Sequence, residues 1–147
     1  MKYKKVQGYT LIELLMIMSA LACLLSIVMS VYYMVKARQD IIQASTETME
    51  LVDAAKTWRG SQLSYNGISQ QTLCNGKLIP ASMCADGFFN PCGGQYLLSA
   101  SGSDQQLLQV QITNVKKPYM LQNALQKGSL HQNSVTVSNN TVIGLFK

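Results

Sequence analysis

Histidine is almost absent from this 147-residue chain, proline occurs three times, and charged side chains make up only 13% of it. The one histidine, His131, lies in a polar loop far in sequence from every cysteine, which leaves no support for a Cys/His nucleophile pair or a zinc site. No glycine-rich phosphate loop follows a strand pattern. Glu47, Glu50 and Asp53 stand at i, i+3 and i+6 of a helical stretch, and without a second cluster they read as a solvated stripe. The chain is therefore expected to be no enzyme and to need no metal or other cofactor. The net charge is +5, but Lys2, Lys4 and Lys5 sit ahead of a long apolar run; without them nine bases face seven acids, leaving +2. Those nine are scattered, with Lys116-Lys117 the only adjacent pair, so no nucleic-acid surface is expected. Of four cysteines, Cys23 falls in the apolar run and Cys74, Cys84 and Cys92 cluster in the polar part. That usage fits one disulfide made in an oxidising compartment, with a thiol left over.

Charge is also missing from Leu11 to Val35, with Glu13 the single exception. As a helix this run reaches about 37 Å at 1.5 Å per residue, enough to cross a hydrocarbon core of about 30 Å. A cleaved secretory signal would have an apolar core of about 7–15 residues and small residues at its cut site. This run is longer and passes into Tyr32-Tyr33-Met34-Val35-Lys36 with no such exit. Tyr32 and Tyr33, followed by Lys36 and Arg38, mark an outer membrane interface, and the leading lysines stay cytoplasmic.

A glutamate in such a helix costs about 2.5–3.5 kcal/mol at the membrane centre and less near an end, so Glu13 calls for a cation. Met16 and Ile17 occupy i+3 and i+4, and neither supplies one. Cleavage after Gly8 would expose an α-amino group on Tyr9 at the same depth as Glu13, and a neighbouring copy could provide that charge. The residues Gly8-Tyr9-Thr10-Leu11-Ile12-Glu13-Leu14-Leu15 behind a basic leader resemble the prepilin signature of type IV pilins. The resemblance implies cutting after Gly8 by a prepilin peptidase, N-methylation of Tyr9, and a role for Glu13 in docking subunits into a helical filament. Tyr9 departs from the family's more frequent phenylalanine or methionine, although the aromatic bulk is kept.

From Ala37 to Arg59 there is no glycine or proline, and Ile41, Ile42, Met49, Val52, Ala55 and Trp58 recur near the helical period. The helix is expected to run on to Gly60, with Lys56 and Arg59 in its final turn. Residues 61–92 carry turn signals at Asn66-Gly67, Asn75-Gly76, Asp86-Gly87 and Asn90-Pro91 and read as loop. Gly94–Ser101 and Leu107–Val115 have strand character, the second alternating cleanly. Pro118 opens a short helix with Tyr119, Leu121 and Leu125 as its apolar side, stopped by Gly128. Ser134–Ser138 and Thr141–Phe146 flank Asn139-Asn140 as a hairpin.

Asn90-Pro91-Cys92-Gly93-Gly94-Gln95-Tyr96 resembles the N-P-x-G-G turn of type IVb pilins, with Cys92 in the usual aromatic's place. With Leu78-Ile79-Pro80, the likeness extends over about residues 1–125. The family's late disulfide cysteine has no counterpart after Cys92, so the staple is absent or moved. Cys74 with Cys84 is the pairing expected, Cys84 with Cys92 the alternative, and Cys92 is then a buried free thiol.

The fold class expected is α+β: a long N-terminal helix packed on a small antiparallel sheet. Residues 1–8 form a leader, 9–36 a transmembrane and filament-core helix, 37–60 its amphipathic half and 61–147 an exterior head. The resemblance implies a pilus subunit, a homo-oligomer that leaves the bacterial inner membrane for the cell surface with help from inner-membrane assembly machinery. The alternatives are a pseudopilin of a type II secretion system and a minor tip subunit binding DNA or a surface.

Overall fold

A computed structural model describes residues 10–84, 87–128 and 132–147. Helix α1 runs from Leu11 to Arg59. Thr10 caps its start, and at its end Gly60, at φ +50°, lets its N–H reach the Lys56 carbonyl at 3.0 Å. From Leu11 to Val35 every large apolar side chain is exposed, from 46% at Val35 to 77% at Leu11. Ser19, Ser26 and Ser30 each return their hydroxyl to the carbonyl three residues back (2.7–2.8 Å), so no unpaired serine O–H interrupts that apolar surface.

From Ile41 onward α1 is one-sided. Ile41, Ala44, Thr48, Leu51, Val52 and Ala55 are buried, a progression of threes and fours that lays one stripe against the core. The stripe is rotated from the one read in the sequence: Ile42 is 64% exposed, while Thr48 is fully buried. Thr48 tolerates burial because its hydroxyl donates to the Ala44 carbonyl at 2.6 Å.

The region read as loop holds a short helix, α2 (Gln70–Asn75), and a 3-10 turn, Ala81–Cys84. In α2 the Ser69 hydroxyl accepts the Thr72 N–H, and the Thr72 hydroxyl accepts the Ser69 N–H at 2.9 Å. This reciprocal cap supports a helix too short to carry periodicity. The strands β1 (Tyr96–Ala100), β2 (Leu108–Ile112), β3 (Gln132–Ser138) and β4 (Thr141–Phe146) form one antiparallel sheet in the order β1-β2-β4-β3. Leu108, Val110, Ile112, Val142 and Phe146 lie on its buried face. The β3–β4 turn holds Asn139 at φ +53°, a conformation asparagine accepts.

Between β2 and β3, α3 (Pro118–Gly128) buries Leu121 and Leu125 completely. Tyr119, expected on the same side, is 70% exposed; two residues from Leu121, it falls on another face. The Gln122 amide donates to the Val135 carbonyl on the outer edge of β3 at 2.8 Å. The opposite edge is covered where β1 begins, by the Tyr96 N–H to Phe88 carbonyl bond and a bridge between Phe89 and Gln95.

Candidate functional site

Of the residues singled out at the N-terminus, Gly8 and Tyr9 lie outside the described residues. Glu13 occupies the third position of α1, and its Oε2 accepts from the Thr10 N–H at 2.9 Å and from the Thr10 hydroxyl at 3.1 Å. The Thr10 hydroxyl in turn accepts the Glu13 N–H at 3.3 Å. This is a capping box, and it places a carboxylate where the helix dipole favours one. Glu13 thus has a local partner within its own chain. The T-x-x-E spacing of Thr10 and Glu13 announces that arrangement, a signal that a search for a cation alone passes over.

In the head, Cys74 and Cys84 are joined by a disulfide with Cα atoms 5.7 Å apart, tying the end of α2 to the 3-10 turn. Cys23 is exposed within the apolar half of α1. Cys92 is also free but only half-buried, packed against the core from the turn after Asn90. Burial, with Asp40 and Glu47 adding to it and Lys116 opposing, holds its thiol above the usual cysteine range. His131 lies outside the described residues, and among those described no group of three or more His, Cys, Asp or Glu is placed to hold a metal ion.

The turn of Asn90 to Gly94 is built around the buried Asn90 side chain. Its Oδ1 accepts the N–H groups of Cys92 (2.9 Å) and Gly94 (3.1 Å), and its Nδ2 donates to the Thr113 carbonyl at 2.9 Å. One amide therefore closes the turn and moors it beside the end of β2. Gly94 presses so close to that segment that an added Cβ would sit 1.9 Å from the Thr113 oxygen, and Gly93 adopts φ +88°. Both glycines are thus required by geometry.

Glu47 is not part of a solvated stripe. Glu50 and Asp53 are exposed as read, but Glu47 is half-buried. Its Oε2 accepts from the Tyr96 hydroxyl at 2.8 Å and its Oε1 from the Gln43 amide at 2.8 Å. Tyr96 is buried on β1, its ring 5.3 Å from that of Phe88, and burial together with the Glu47 carboxylate raises its hydroxyl far above the usual tyrosine range. The contact spans 49 residues of sequence and joins α1 to β1.

The family model described as PilS N terminal matches residues 38–145 of the chain. The match takes in the upper half of α1 and nearly all of the head, passing beyond residue 125, where the likeness read in the sequence stopped. No curated protein and no solved structure matches the chain.

Proposed function

The chain belongs to the pilin-related PilS N-terminal family, and from that membership we propose that it is a structural subunit of a type IV pilus. In this reading the leader is removed after Gly8, Tyr9 becomes the methylated N-terminus, and many copies stack their apolar helix halves into a filament core. The observation that carries it is the first half of α1, whose large apolar side chains are exposed on all sides among the described residues. Exposed to water, those side chains would forgo about 1.5–3 kcal/mol each, so the segment belongs in lipid or among other copies. Membrane association before assembly supplies the first environment, and the filament supplies the second.

Glu13 serves both. Its capping bonds to Thr10 satisfy the carboxylate while the chain is in the membrane. On assembly the Tyr9 amine of a neighbour neutralises it, rewarding one axial offset over others in an open, head-to-tail helical array. A prepilin peptidase and inner-membrane assembly machinery are the partners this route requires, and the cell surface is its destination. The chain performs no catalysis in this account.

N-terminal mass determination on protein from the native membrane tests the processing step: a mature chain beginning at methylated Tyr9 is the expected result, and a retained leader overturns it. Negative-stain microscopy of cells then separates a pilus from a short secretion pseudopilus. Long surface fibres lost on deletion of this chain are expected; their persistence would reject the assignment.

A further inference from the structure

Above the Glu47–Tyr96 contact lies a cavity of about 370 Å³. Gln43 and Glu47 of α1 form one wall, Ser82 and Met83 of the 3-10 turn another, and the rings of Phe88, Phe89 and Tyr96 the rest. Among these residues Glu47 alone is charged, and both of its contacts are neutral donors, the Gln43 amide and the Tyr96 hydroxyl. Two carboxylate oxygens accept about four hydrogen bonds, so capacity remains toward the cavity. Phe89, one of these rings, is 67% exposed.

We propose that this cavity receives an alkylammonium group, and that in the assembled protein the group is a lysine side chain of a second copy. An anion is repelled by Glu47. A neutral apolar ligand would strip water from the carboxylate without replacing it. A metal ion would find one carboxylate and no further ionic ligand among the lining residues. An ammonium finds its counter-ion in Glu47 and aromatic rings among the lining residues, while Met83 offers apolar surface to its aliphatic stem.

The distribution of charge points to the source. Between Asp40 and Ala55 the helix carries Asp40, Glu47, Glu50 and Asp53 and no base. After Asp104 the chain carries Lys116, Lys117, Lys127 and Lys147 and no acid, and all four lysines are exposed. Lys116 acts on the same Cys92 thiol as Asp40 and Glu47, but Lys127 and Lys147 lie far along the sequence from the acidic stretch, and such a division of sign suits a head-to-tail contact between copies. The lysine source rests on the filament reading; the chemistry of the cavity does not.

The test has two arms. Full-length processed chain in detergent micelles is titrated with n-butylammonium and followed by NMR. Saturable shifts at Gln43 and Phe89 are expected, weakened by about tenfold in Glu47→Gln, a change that keeps an acceptor for the Tyr96 hydroxyl. Absence of saturable shifts, unchanged binding in the variant, or equal binding of neutral n-pentanol would overturn the cavity's assignment. In the second arm, filaments grown from mixed light and nitrogen-15 subunits are treated with a carbodiimide, which joins a carboxylate to a contacting amine. A mixed-isotope peptide linking Glu47 to one of the four lysines is expected. Filaments in which other acids link but Glu47 does not would reject the second-copy source while leaving the filament reading intact; failure to form filaments would reject that reading and its lysine source, with the cavity judged by the first arm.

Discussion

Between Leu11 and Val35 the large apolar side chains of α1 are left exposed by the described residues, whereas Ala44, Leu51 and Ala55 farther along the same helix are completely covered. The backbone is helical in both halves, so the difference is one of solvent. The first half is built for surroundings the single chain does not provide; the second packs against a sheet that travels with it. Substitutions in the head should therefore register as stability, and substitutions in the first half as assembly.

The largest effect expected is that of Gly94→Ala. Its Cβ would meet the Thr113 oxygen at 1.9 Å, so the backbone must move. A loss of about 3 kcal/mol or more is expected in denaturant unfolding followed by Trp58 fluorescence. Replacing Cys74 and Cys84 together by serine should cost about 2–3 kcal/mol by the same measurement, as the ten-residue link is lost. Glu13→Gln sharpens the contrast from the other side. The amide keeps an acceptor for the Thr10 N–H, so circular dichroism should report the same helix content, while filament yield falls by about tenfold. Glu13→Ala should also fray the first turn, at about 1 kcal/mol. Unchanged yield and subunit spacing in Glu13→Gln would remove charge from the assembly mechanism.

Smaller effects concern two tyrosines. Tyr96 is held protonated in the folded head, whereas an unfolded tyrosine ionises near pH 10. Its contribution is thus fully present below about pH 10 and declines as pH rises beyond that, toward the raised folded value. Tyr96→Phe should flatten this alkaline limb, seen as a smaller fall in melting temperature between neutral and strongly alkaline solution. Tyr65 has a buried hydroxyl with no partner among the described residues, while Arg59 lies over its ring at 4.7 Å. Tyr65→Phe keeps the ring contact and relieves the orphaned group, so stability should hold or rise by up to about 1 kcal/mol.

What could be read from the residues follows the range of the forces. The extent of α1, the alternation of β2 and the Asn139-Asn140 hairpin depend on neighbours in sequence and were legible there. The turn at Asn90 was visible as a motif, but its reason was not, because the amide grips a carbonyl 23 residues away. Glu47 looked solvated for the same cause: its partner Tyr96 arrives only when β1 docks on α1. The order of strands likewise rests on pairings between segments distant in sequence, such as β2 with β4. Within the candidate site, Glu13 was legible as an unusual charge, and its bonds to Thr10 were legible too in the T-x-x-E spacing, since they depend only on neighbours in sequence.

The Gln122 side chain on the rim of β3 has a consequence for the proposed filament. A subunit that must accumulate at high local density cannot leave bare strand edges, since unpaired amides and carbonyls recruit one another into sheets that never dissolve. With the Val135 carbonyl on one rim engaged by an amide from α3 and the start of the other rim shielded where Phe88 reaches Tyr96, sideways zippering is discouraged at those points. In the proposed filament, growth is then left to the greasy stem.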